Sequence, residues 1–236
     1  YQSERFLVAA GAMPRPLSFT GADLVIDSTN FLNLEALPER ILFIGGGFVS
    51  FEFAHISARA GAKPIIVDRG AHPLGSFDPD LVDMLVQRGA GIGVDLMRET
   101  EIVSVAETSG AFTVEVASGD QTRTIETDLV VHGAGRVAAL ADLNLEAAGV
   151  DHSDKGIVVA PHLQSTTNSA VYAAGDSADT DGMPLTPVAV IEGKVAASNM
   201  LKDAQTAPDY AGIPTAVFTV PEVARVGMLE DEARDA

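Results

Sequence analysis

Ile41-Leu42-Phe43-Ile44-Gly45-Gly46-Gly47-Phe48-Val49-Ser50-Phe51-Glu52-Phe53-Ala54-His55-Ile56-Ser57-Ala58-Arg59-Ala60-Gly61, followed shortly by Pro64-Ile65-Ile66-Val67-Asp68, is the stretch that decides the fold. Ile41 to Ile44 is a short aliphatic and aromatic run of the kind that fills a buried parallel strand. Three glycines end it at once. From Phe48 a proline-free segment reads as a helix that Gly61 stops, and Pro64 to Asp68 reads as a second strand. Strand, glycine turn, helix and strand between Ile41 and Asp68 make the βαβ unit that a dinucleotide site requires. The fold class implied is α/β, with a Rossmann-like nucleotide domain.

Each position in this unit has a physical task. Gly45 permits the turn, Gly46 continues it, and Gly47 lets the backbone approach a pyrophosphate. Ser50 is the small residue standing where a third glycine allows close helix–strand packing. The free amides of Phe48, Val49 and Ser50 at the helix start face the phosphates, assisted by the helix dipole. Asp68, ending the second strand, is placed to accept hydrogen bonds from the adenine ribose. Its charge would repel a 2′-phosphate and so favours NAD. Arg69 follows immediately and could do the reverse, leaving NADP possible.

Composition narrows the rest. The 236 residues are 47% hydrophobic, enough for one large domain or two ordinary ones. The 22 glycines and lack of tryptophan suit many tight strand-to-helix connections. With 33 acidic against 15 basic residues, the formal charge of −18 argues against binding nucleic acid or an anionic membrane surface. There is no cysteine, so any thiol chemistry must lie outside this chain. No apolar run reaches the roughly 20 residues of a membrane helix, and a cytoplasmic location is expected. The five histidines form no ligand cluster, and His132 reads as structural within a strand. The chain opens at Tyr1 rather than Met, and Asp231 to Ala236 reads as a helix cut short, so an internal fragment is expected.

A second set of residues lies further along. Ala170 to Ala174 reads as a strand ending in Gly175-Asp176, an acid at a strand's carboxyl end where a ligand polyol would sit. Leu185-Thr186-Pro187-Val188-Ala189 opens a helix, with Thr186 as cap and Pro187 at the first helical position. The Thr166 to Asp176 run resembles the T-x-x-x-x-V-Y-A-x-G-D flavin signature of the pyridine nucleotide-disulfide oxidoreductases, the family of glutathione reductase and dihydrolipoamide dehydrogenase. Leu7-Val8-Ala9-Ala10-Gly11-Ala12-Met13-Pro14 is similar to that family's crossing from the flavin into the nucleotide domain. Val130-Val131-His132-Gly133-Ala134-Gly135-Arg136 is similar to the return crossing, and Ile213 to Phe218 to the first strand of the interface domain.

The resemblance implies an FAD-binding first segment at 1–12, an NAD(P)-binding domain at 13–136, a second FAD segment at 137–207 and the start of a dimerisation domain at 208–236. It implies that Ala10 and Gly11 approach the flavin nucleotide. Gly175 and Asp176 would lie by its ribityl-phosphate, and Leu185 and Thr186 by its isoalloxazine. Gly45 to Ser50, with Gly135 on the crossing, would hold NAD(P). Phe48 would shield the nicotinamide face of the flavin and Glu52 would help place the nicotinamide. Phe48 lacks the usual tyrosine hydroxyl, so it gates by stacking alone. Two departures stand out: Arg69 has no second arginine near Gly75, and Arg136 is followed by Val-Ala-Ala rather than x-Pro-Asn. The implied activity is hydride transfer from NAD(P)H to FAD and onward to a disulfide-type acceptor, in a full-length homodimer. Mercuric reductase-like or NADH oxidase-like flavoproteins and a non-catalytic dinucleotide module are the alternatives. Within 13–136, Ile92–Leu96, Ile102–Ala106, Phe112–Val116 and Leu129–His132 read as strands, the middle two as a hairpin turning near Gly110.

Overall fold

A computed structural model of the chain describes residues 2–235. Its first strands are β1 (Phe6–Val8), β2 (Ala12–Pro14), β3 (Arg40–Ile44), β4 (Lys63–Val67), β5 (Asp95–Met97), β6 (Glu101–Thr108), β7 (Ala111–Ser118), β8 (Gln121–Thr127) and β9 (Leu129–His132). There follow β10 (Arg136–Ala138), β11 (His152–Ser153), β12 (Gly156–Val158), β13 (Val171–Ala173), β14 (Ala178–Asp179), β15 (Thr215–Val217) and β16 (Val223–Arg225). The helices are α1 (Ser28–Leu32), α2 (Phe48–Arg59), α3 (Pro79–Ala90), α4 (Thr186–Lys202) and α5 (Glu230–Asp235). Contacts divide the chain into two compact units, Tyr1–Met13 with Arg136–Thr215, and Pro14–Gly135 with Ala216–Ala236.

In the second unit a parallel sheet runs in the order β5-β4-β3-β9. The central strand β3 is covered on both faces, with Ile41 at 1% exposure and Leu42 and Phe43 at 0%. That is why its sequence is an unbroken apolar run rather than an alternating one. Register is pinned at its start, where the Arg40 N–H donates to Asp128 Oδ2 (2.9 Å) and the Asp128 N–H to the Arg40 carbonyl (3.0 Å). The Arg40 guanidinium also bonds Asp128 and holds its carboxyl below the ordinary value. Helix α2 lays Phe51, Phe53 and Ala54 into the core. The Phe31 ring of α1 stacks on Phe53 (centroids 4.5 Å apart) and meets Phe43 edge-on (5.6 Å), so one aromatic cluster joins α1, α2 and β3.

The hairpin expected around Gly110 is present, with Ser109 and Gly110 both left-handed between β6 and β7. It is the first part of a three-stranded antiparallel sheet, β6-β7-β8. The strand expected at Ile92–Leu96 instead occupies Asp95–Met97. The N–H groups of Ile92 and Val94 both return to the Gly89 carbonyl, so those residues are spent in the turn that ends α3. In the first unit β1 pairs parallel with β13, so the strand expected at Ala170–Ala174 is Val171–Ala173, and β12 lies between β11 and β14. Leu140, Leu145, Ile157, Val171 and Ala173 form the core there. Thr186 begins α4 and the extended Leu185 is its cap, one residue earlier than the sequence suggests; no side chain caps this end. Asp231 to Asp235 is helical as expected, while Ala236 lies outside the described residues.

His55 of α2 is buried near Gly89 of α3, and neither ring nitrogen finds a partner among the described residues. Burial pushes this imidazole below its ordinary value, helped by the cations of Arg59 and Arg88. The folded chain therefore holds it neutral, while the unfolded chain takes up a proton as pH falls through about 6.5. With respect to this group the fold is therefore at its most stable above that pH and loses stability below it. Urea unfolding is expected to show a lower midpoint at about pH 5.5 than at about pH 7.5, with a smaller drop in His55→Leu. At the higher pH this variant should match the natural chain or exceed it by about 1 kcal/mol, because two unsatisfied nitrogens are gone. Equal drops in the two proteins would refute this role.

Candidate functional site

The turn after β3 is built by close approach. Gly45 has φ 97°, a left-handed conformation, and its N–H donates to the Val67 carbonyl at 2.8 Å. A Cβ here would lie 2.7 Å from Ala134 Cα and 2.8 Å from the Gly133 carbonyl oxygen, so geometry and space both demand glycine. At Gly46 a Cβ would fall 2.3 Å from Asp68 Oδ2 and 2.9 Å from Pro73 Cβ, while the Gly46 carbonyl accepts from the Leu74 N–H at 2.9 Å. The carboxylate at the end of β4 thus rests directly against the glycine turn. Gly47 differs. A Cβ there would meet nothing nearer than Gly133 O at 3.5 Å, and Gly47 caps α2 with no side-chain hydrogen bond.

The amides of Phe48, Val49 and Ser50 open α2, where no intrahelical acceptor exists for them. An anion at this end would satisfy them and meet the positive end of the helix dipole. Ser50 is fully buried and its hydroxyl has no partner among the described residues. Its Oγ lies 2.1 Å from where a Cβ on Gly133 would sit. The close packing expected at Ser50 is therefore made against Gly133, a residue the sequence shows in the return crossing without revealing its contact. Pro73 and Leu74, which meet the turn at Gly46 from the segment after β4, carry no motif that would betray them.

The remaining expected residues fall into two groups. Asp68 is half-buried beside the turn, Arg69 is exposed and follows it, and the Phe48 ring is 50% exposed, open to stacking rather than spent in the core. Glu52 is half-buried and already engaged, its Oε1 accepting from the Phe218 N–H at 2.9 Å. Gly135 is exposed, and its carbonyl accepts from the Arg15 N–H at 3.1 Å. His132 is structural: Nδ1 accepts from the Ala134 N–H (3.1 Å), which leaves Nε2–H to donate to the Arg15 carbonyl (2.7 Å). This bond steadies the Gly133-Ala134 segment under the glycine turn.

In the first unit, Ala9, Gly11, Gly175, Asp176, Leu185 and Thr186 line a cleft of about 310 Å³. Ala10 is exposed and is not among its lining residues; its neighbour Ala9 is. Gly11 is held by its N–H donating to Ser177 Oγ at 2.8 Å, and Gly175 by its N–H donating to Glu192 Oε2 at 2.6 Å. The uncapped amino end of α4 opens on this cleft, so its free amides fit an electron-rich ligand group. Among the described residues no cluster of three metal-ligating side chains occurs, and no helix is long and apolar enough to cross a membrane.

Comparison with known proteins bears on the family and the fold. Residues 1–193 match the protein family described as pyridine nucleotide-disulphide oxidoreductase. A glutathione reductase of Burkholderia cepacia is 33% identical over 229 residues, covering 97% of this chain and 50% of that protein. A dihydrolipoyl dehydrogenase of Staphylococcus aureus is 32% identical over 237 residues, covering 100% of this chain and 50% of that protein. Among solved structures, an HOCl-induced flavoprotein disulfide reductase from Escherichia coli superposes with a TM-score of 0.87 at 27% identity, covering 99% of this chain and 53% of the other. The chain spans about half the length of the curated relatives it matches.

The Ser50–Gly133 contact predicts a coupled pair. Gly133→Ala alone is expected to destabilise the chain by about 2 kcal/mol through overpacking, and adding Ser50→Gly to recover most of that loss. Additive effects in chemical denaturation would show that the two residues do not pack as described.

Proposed function

Because this chain belongs to the pyridine nucleotide-disulphide oxidoreductase family, we propose that the full-length protein moves a hydride from NADH to FAD and passes the electrons to a disulfide-type acceptor. The family pairs FAD with NAD(P)H. The chemistry supplied by FAD, when bound, would be two-electron transfer: a hydride and a proton in, and two electrons with two protons out, which balances reduction of a disulfide to two thiols. The protein's own part is to bind, orient and exclude water. The amides of Phe48, Val49 and Ser50 hold the pyrophosphate, Gly47 leaves it room, and the exposed Phe48 ring stacks at the nicotinamide end. Gly11, Gly175 and Asp176 hold the flavin's phosphate and ribityl side, and the α4 amino end with Leu185 and Thr186 faces its ring. We place the NAD(P) domain at 13–136, the FAD segments at 1–12 and 137–207, and a dimerisation domain from 208, in a cytoplasmic homodimer.

The observation that carries this reading is the Asp68 carboxylate resting against Gly46, beside a helix end left uncapped at Gly47. A ribose bound along this turn meets that carboxylate with two hydroxyl donors. A 2′-phosphate would meet the same charge and be repelled, and the exposed Arg69 offsets only part of that. Titration calorimetry is expected to show NADH binding more tightly than NADPH. Asp68→Ala should weaken NADH by about tenfold, the worth of one charged hydrogen bond, and narrow the preference. Tighter NADPH binding by the unaltered protein would reverse the assignment in favour of Arg69.

A further inference from the structure

Glu192 lies in the middle of α4 and is 1% exposed, yet no ion pair reaches it among the described residues. A carboxylate taken out of water is strongly destabilising unless its lone pairs are met. Three donors from three separate segments meet them here. The Gly175 N–H donates to Oε2 at 2.6 Å, and the hydroxyls of Thr180 and Tyr210 both donate to Oε1 at 2.7 Å. Burial is the first cause raising the Tyr210 phenol to about 12, so it remains an O–H donor throughout the physiological range. Thr180 Oγ1 in turn accepts from the Gly182 N–H at 3.2 Å, extending the network into the loop before α4.

One end of this network is the turn that bears Asp176. Gly175 has φ 65°, and its N–H has Glu192 as its acceptor; the next residue lines the cleft. Fixing that peptide fixes where the Asp176 carboxylate starts from. We propose that Glu192 is a positioning residue of the flavin site, its buried carboxylate setting the Gly175-Asp176 turn against the cleft while tying the Thr180 and Tyr210 loops to α4. This rests on reading the cleft as a flavin site. Glu192 itself does not line it, so its effect passes through Gly175.

The role belongs to geometry rather than to charge. A glutamine can present its carbonyl oxygen to the Gly175 N–H and its amide hydrogens to the Thr180 and Tyr210 oxygens, which then turn to accept. Leucine of similar size can do neither.

The test uses full-length protein in its natural, Glu192→Leu and Glu192→Gln forms, read by fluorescence titration with FAD and by hydrogen exchange at the backbone amides. In Glu192→Leu, FAD affinity should fall by about tenfold or more and the Gly175 amide should exchange about tenfold faster. The Val171–Ala173 amides should remain protected, which reports an intact sheet. Glu192→Gln should restore affinity to within about threefold. Should the leucine variant fail to fold, Thr180→Val with Tyr210→Phe removes both Oε1 donors and is expected to shift both readouts in the same direction. Unchanged Gly175 exchange, unchanged FAD affinity despite faster exchange, or equal losses in the leucine and glutamine forms would each overturn the positioning role. Failure of the natural protein to bind FAD would instead overturn the flavin reading itself, and the proposal with it.

Discussion

The nucleotide unit depends on how closely three strand ends approach one another at Gly45 and Gly46. The turn leaving β3 is wedged between the Gly133-Ala134 backbone that leaves β9 and the Asp68 carboxylate that ends β4. Both neighbouring strands run parallel to β3, so their carboxyl ends converge on the same edge, where ligands of open α/β sheets bind. Side chains at positions 45 and 46 would collide with these ends. Their absence brings Asp68 beside the turn and leaves the amino end of α2 open to an anion. The proposed specificity and phosphate binding thus rest on the same packing requirement.

The surrounding contacts hold this arrangement in register. Arg40 and Asp128 lock the starts of β3 and β9, so the ends of those strands arrive level with each other. His132 holds the segment beyond β9 by two bonds, using both ring nitrogens in its neutral form. Glu52 extends this order from α2 to the Phe218 amide in the strand region near the carboxyl end of the chain. The other unit uses a different device. There a buried carboxylate, rather than a tight backbone contact, collects the Gly175 turn and two loop hydroxyls around α4.

The sequence makes the βαβ core legible because its signals are strong and local. Ile41 to Ile44 can only be buried on both sides, the three glycines follow at once, and Asp68 closes the next strand. Other parts are hidden for physical reasons. Strand β8, Gln121–Thr127, carries a single apolar residue, Ile125, because it forms an exposed sheet edge, so its periodicity is mute. Ile92 to Val94 imitates a strand in composition, but Gly93 at φ 95° commits the segment to a turn. Helix α3 buries Val82 and Leu85 but carries Leu81, Met84 and Val86 beside them outside the buried set, and it ends at Ala90 between Gly89 and Gly91, so composition alone does not mark its covered face. The partnership of Ser50 with Gly133 and the convergence of Gly175, Thr180 and Tyr210 on Glu192 are long-range. No window of sequence contains them.

The most direct measurement of the central claim is anaerobic stopped-flow mixing of the full-length, FAD-loaded protein with NADH or NADPH, following the absorbance of oxidised flavin. If the glycine turn and Asp68 deliver NADH to the flavin, NADH bleaches that absorbance at lower concentration than NADPH does, and Asp68→Ala reduces the difference. Oxidised flavin that persists with both nucleotides would contradict the claim.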